Sequence, residues 1–234
     1  MIGMMRYAFR DYARSYRYVG PLLAFAIFLV FIYGVVPNPV MPSYSLTVSL
    51  TFLTAAWLGF GFVDAEDETQ QLVGVLHSGG WMAYHVGRWL LMAGACGLLT
   101  LVATFYPIVL EKFDRQPGVG EILAGLAGHM GLALLGVGIS YLFTCKLIGK
   151  LNYAIIGLVL ALSLSFAAGG IRDSLPESAG FVVHLLPPVF SLIDVFNRYE
   201  TVSTAEAAFA LLAPPIYSLI LGVVYLRLMK IRRL

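Results

Sequence analysis

Four histidines (His77, His85, His129, His184), two cysteines (Cys96, Cys145) and one dense acidic group (Asp64, Glu66, Asp67, Glu68) are the residues of this 234-residue chain with reactive side chains to offer. They form no familiar reactive pattern. The histidines do not cluster at metal-ligand spacing, and no HExxH, CxxC or GxSxG occurs. The nearest approach to a phosphate-binding loop is "KLIGKLN". There Gly149-Lys150 precedes leucine rather than Ser or Thr, and the upstream glycine is missing. If ATP and magnesium drive this protein, another chain binds them, and no cofactor is expected here. Both cysteines fall in apolar runs and read as small buried hydrophobes rather than a disulfide scaffold. His129 is the one histidine expected at membrane depth, near the outer end of an apolar run. Such a group is a functional candidate by default, although one lone His close to an interface is more often hydrogen-bonded or water-facing than a relay.

The elements that position these residues are long and apolar. The chain is 59% hydrophobic and 12% charged, about half the charge of a soluble domain. A net charge of +2 gives no footing for nucleic acid. A crossing helix needs about 20 mostly apolar residues, and six stretches qualify: 20–37, 44–63, 89–110, 122–145, 153–171 and 207–228. The first is read as a retained span, because it exceeds a signal's apolar core and "VVPNPVMP" offers no small-x-small cleavage site. A seventh stretch, 181–196, is short and broken by Pro187-Pro188, with His184 and Asp194 flanking the break. Two short interfacial or re-entrant helices suit it better than a span. Small residues at Gly94 and Gly97, Gly125 and Gly128, and Gly131 and Gly136 permit close helix contact.

With six spans the termini share a side, and that side collects 11 of the 15 basic residues, which makes it cytoplasmic. The expected fold is therefore an all-α integral membrane protein, a single unit over 1–234. It comprises an interfacial arm (1–19), five spans (20–171), an outer re-entrant segment (172–205) and a sixth span with a basic tail (206–234). In the arm, Arg6, Arg10, Arg14 and Arg17 fall within about 80° at 100° per residue, flanked by aromatics. That is the composition of an amphipathic helix on an anionic lipid surface.

The acidic group opens a different element, between the second and third spans. Carboxylates at a helix start are favourable toward its dipole. Leu72, Val73 and Leu76 then recur on one face, and "HSGG" stops the helix. A second helix restarts near Trp81 and passes through Arg88 into the third span. A helix like this can lie on the membrane or dock on a partner; four carboxylates favour a basic partner over an anionic surface.

Glu68-Thr69-x-x-Leu72-Val73, with Ser78 and then Gly87-Arg88 at the start of a span, resembles the cytoplasmic loop of ABC-2 type ABC-transporter permeases. The likeness extends to the whole architecture of arm, six spans and outer half-helices. The chain departs from the family pattern at His77, where a Pro is usual, and at Glu68, where a Gly is usual. The resemblance implies that 68–76 is a coupling helix docking in a groove of an ATP-binding subunit. It implies two ATPase subunits, a second permease copy or a paralogue, and a bacterial cell membrane. It further implies export of a drug, antimicrobial peptide or lipid-like cargo. The spans themselves hold almost no charge, which argues against an ion-coupled carrier or cation channel. Two rival classes stand beside this one: an integral-membrane enzyme or assembly factor, and a receptor-like regulatory subunit, neither with an ATPase partner.

Overall fold

A computed structural model describes residues 2–176 and 185–231. Its helices in chain order are α1 (Ile2–Ser15), α2 (Val19–Ile32), α3 (Val40–Val63), α4 (Glu68–His77), α5 (Trp81–Val109), α6 (Val119–Leu142), α7 (Cys145–Ile148), α8 (Leu151–Ser174), α9 (Val189–Asn197) and α10 (Thr204–Ile231). Among the described residues there is no strand, only a single bridge between Asn38 and Phe113. Five segments are long and apolar enough to cross a membrane: α3, α5, α6 continued through α7, α8 and α10. The chain is thus an all-α protein of multi-pass membrane type.

The expected first span is the exception. α2 has 14 residues, about 21 Å of helix, against a hydrocarbon core of about 30 Å. The helix expected over 20–37 stops at Ile32. Gly34 follows, and Pro37 and Pro39 remove donors and disfavour helical geometry in the residues before them. The irregular stretch beyond is paired rather than bare. Asn38 N–H donates to the Lys112 carbonyl at 3.1 Å, and Asp114 N–H donates to that of Asn38 at 2.9 Å.

α6 is the axis, with α3, α5 and α10 against it. Contact with α3 depends on residues without bulk. A β-carbon at Gly136 would collide with the Phe52 carbonyl, and one at Gly125 would come within 2.9 Å of the Tyr44 ring. The small-residue expectation holds on α6 and fails on α5, where Gly94 and Gly97 face nothing within 4 Å. α8 and α10 turn rows of Leu, Ile and Val outward, among them Ile156, Val159, Leu219 and Val223. Surfaces of that kind suit lipid.

The bundle has two unlike ends. At one, α1, α4, α7 and the last turns of α10 meet, sharing a core that includes Met4, Ala8, Tyr84, Leu147 and Met229. At the other, the start of α3 meets α9 and the start of α10 around Val40, Met41, Val189, Phe196 and Ala210. α9 begins directly after Pro188 and has nine residues, too few to span. Its Val189, Leu192, Val195 and Phe196 are buried against α3, α8 and α10. The first half of the expected broken pair, with His184, lies outside the described residues.

Candidate functional site

α4 is held by its back and leaves its apolar face open. Asp67 caps it, accepting from the Gln70 N–H at 2.7 Å, and the turn after it uses Gly79 and Gly80 at φ 87° and 124°, a region open to glycine. Gln71, Gly74 and Ser78 face inward. Gly74 sits where a β-carbon would strike the Tyr84 ring at 2.7 Å. Lys146 Nζ, from α7, donates to Gln71 Oε1 at 2.8 Å. Outward point Leu72, Val73 and Leu76, exposed by 55%, 50% and 80%, with Thr69, Gln70 and His77 beside them. The sequence left open whether this strip faces inward; in the structure Leu72 and Leu76 point away from the protein's own helices, while the half-exposed Val73 borders the space between α4 and α1.

The loop leading into α4 is tied down by charge. Glu66 accepts hydrogen bonds from the Tyr84 hydroxyl and from the Arg88 guanidinium, and both members of the ion pair are buried. Arg88 also donates to the Phe62 carbonyl at 2.8 Å and lies 4.2 Å from the centre of the Phe62 ring. Asp64 takes the Cys145 N–H at 3.0 Å on its carboxylate and the Arg17 guanidinium at 2.7 Å on its carbonyl. Tyr12 donates to the Leu58 carbonyl at 3.2 Å. Helices α5 and α7 and the α1–α2 turn therefore all hold the short segment between α3 and α4.

This revises three expectations. The acidic group is not a uniform outward charge: Asp64 and Glu66 are turned inward, Asp67 is a cap, and the Glu68 side chain lies outside the described residues. Arg88, grouped by the resemblance with the coupling residues at the entry to the third span, is a buried anchor. Ser78 is buried too, and its hydroxyl donates to the Val75 carbonyl at 3.0 Å, closing the helix. Thr69, Leu72, Val73 and Leu76 remain on the open face. Of the four arginines in the arm, Arg17 is engaged on α3, while Arg6, Arg10 and Arg14 are exposed.

Tyr84, Gln71 and Lys146 escaped sequence reasoning. A signal existed for the first, since Tyr84 and Arg88 are four apart and share a helix face. A cation at the start of a span also needs a partner, and Glu66 is the nearest carboxylate besides those at the cap.

Between α1 and α4 lies a cavity of about 700 Å³, lined by Gly3, Met4 and Tyr7 on one side and by Thr69, Gln70, Val73, Gly74 and His77 on the other. At the opposite end a cavity of about 410 Å³ opens among Pro39, Met41, Arg115, Glu121, Asn197 and Arg198. Its rim carries ion pairs, one of them over the buried Glu121. Arg115 is bidentate to Glu121, both contacts 2.7 Å, and Arg198 bridges Asp194 and Glu206. These two carboxylates hold the Arg198 guanidinium well above its ordinary pKa. Asp194 is thus a local partner of Arg198.

His129 is fully buried, about 15 Å along α6, deeper than expected and away from water. Its Nδ1 sits 2.6 Å from the Gly125 carbonyl, which accepts only, so Nδ1 carries the proton. Nε2 then accepts from the Thr47 hydroxyl at 2.9 Å. Both ring nitrogens are satisfied in the neutral form, and the side chain joins α3 to α6. Comparison with family models, characterised proteins and solved structures yields no match for this chain.

Proposed function

We propose that this chain is the membrane permease subunit of an ATP-driven exporter of the ABC-2 type. One observation carries the reading: α4 presents Leu72 and Leu76 to the outside, with Val73 beside them at the edge of the α1–α4 cavity, while its other face is locked to the bundle. An apolar strip on a short helix, clear of its own protein and backed by rigid polar ties, suits insertion into a partner's groove. Two ATP-binding subunits would grip α4 in each of two copies of this chain, or in this chain and a paralogue.

The ties fit a lever. Force on α4 reaches α3 and α5 through Glu66, Tyr84 and Arg88 and reaches α7 through Gln71 and Lys146. Those helices border α6, around which the bundle is built. ATP binding in the partner would then reorient the helices and switch a pathway between its two openings. The basic residues collected at the α4 end support a cytoplasmic side for that end, in a cell membrane. Six crossings follow if α2 and the paired chain to Pro39 together make the first, and α9 then lies at the outer surface near the exit. The uncharged spans favour a hydrophobic or amphipathic cargo.

The test is co-purification. Leu72→Asp and Leu76→Asp lie on the open face and are expected to leave the detergent-solubilised chain folded and monodisperse. Each is expected to release an ATP-binding subunit that accompanies the wild type. A subunit that stays bound to both variants removes α4 as the docking element. A wild-type chain that purifies with no ATPase supports the enzyme or regulatory-subunit reading.

A further inference from the structure

Helix α1 has three faces, and only one is used within the protein. Met4 and Ala8 are buried against the α4-end core, with Tyr12 following one turn on. Next around the helix comes Phe9, exposed by 60%, and Tyr16, in the turn just past the helix at φ 55°, is exposed by 72%. Beyond them lie Arg6, Arg10 and Arg14, exposed and forming no ion pair among the described residues. α1 is bent 76° from α2, and α2 turns Leu23, Ile27, Phe28 and Phe31 outward, as a lipid-facing helix does. If α2 runs along the membrane normal, α1 runs nearly in the membrane plane. Trp57 lies beside Gly20 near the α1–α2 junction and is half-exposed, in keeping with an interfacial aromatic.

We propose that Arg6, Arg10 and Arg14 bind the headgroups of anionic phospholipid while Phe9 and Tyr16 enter the adjoining acyl layer, and that this contact steadies α1 as one wall of the α1–α4 cavity. Bare guanidiniums in a row match a layer of phosphodiesters, each of which accepts from more than one N–H. The flanking aromatics match the boundary immediately beneath it. Arg17 is excluded from the strip because it is committed to the Asp64 carbonyl. The site is independent of the ATPase reading and needs only that the α4 end faces an anionic leaflet.

The test uses the full chain in phosphatidylcholine vesicles carrying brominated phosphatidylglycerol. Bromine quenches tryptophan on contact, so in a W81F/W89F background the fluorescence of Trp57, the remaining tryptophan, reports which lipid sits at the α1–α2 junction. The wild type is expected to prefer phosphatidylglycerol over brominated phosphatidylcholine by about a hundredfold, on the basis of the attraction of three basic residues at such a surface. The R6Q/R10Q/R14Q variant is expected to lose that preference. R6K/R10K/R14K is expected to keep most of it, because the charge survives and the fold is untouched. R227Q/K230Q, which removes exposed charge from α10 at the same end, is expected to keep it entirely. Retention in the triple glutamine variant overturns the proposal, as does equal loss in R227Q/K230Q. Displacement of the lipid by inorganic phosphate at equal concentration would mark a soluble-phosphate site and also overturn it.

Discussion

Both ends of the bundle hold arginine–carboxylate contacts, yet the two sets do different work. At the α4 end Arg88 and Glu66 are 8% and 1% exposed in their side chains, and their partners are a tyrosine hydroxyl, a backbone carbonyl and an aromatic face. At the α9 end Arg198 is about half exposed and its partners, Asp194 within α9 and Glu206 in the first turn of α10, are partly exposed as well, while Arg115 is half exposed over a buried Glu121. Burial decides the consequence. A buried pair is costly to form and far costlier to break by halves, so it fixes geometry. An exposed pair competes with water and adds little, so it can open without disturbing the helices. The α4 end is built to transmit position, and the α9 end can rearrange around its cavity.

The largest effect that would break this contrast is at Glu66. Glu66→Ala strands the Arg88 charge and is expected to destabilise the protein by about 3–5 kcal/mol, read as a fall in thermal midpoint or loss of the monodisperse peak. The paired change Glu66→Leu with Arg88→Met should recover most of that stability, since no charge is left unpaired. Next comes Lys146→Ala, which leaves the inward-facing Gln71 amide oxygen without its donor, for about 1–3 kcal/mol. Thr47→Val removes the donor to His129 Nε2 and is expected in the same range, about 1–3 kcal/mol, as a control deep in the bundle. Smallest is Arg198→Gln, whose melting curve should overlay the wild type in low and high salt alike. If Arg198→Gln destabilises as much as Glu66→Ala, the contrast between the ends is wrong.

Much of the fold was legible because long apolar runs leave little choice of element, and α4 (Glu68–His77) lies where its acidic start and "HSGG" stop place it. The continuous α5 from Trp81 through Arg88 was legible for the same reason. The destinations of the charges were not. Asp64, Glu66, Asp67 and Glu68 look alike along the chain, but a helix end at Val63 and a tight loop send the first two inward. Tertiary partners such as Tyr84 and the Cys145 N–H decide that, and no local spacing encodes them. The end of α2 was misjudged because hydropathy continues through Val35 and Val36 after Gly34 and the prolines have already stopped the helix. At the site, the shared face of Leu72, Val73 and Leu76 followed from helical period but its direction did not, and Gln71 as the inward anchor ran against residue type.

The most direct measurement places a photoreactive side chain at position 76 of the full chain and crosslinks it in native membranes. The account predicts capture of a protein bearing a phosphate-binding loop, with capture lost when Leu72→Asp is added. Crosslinks only to lipid, or only to this chain's own helices, would contradict it.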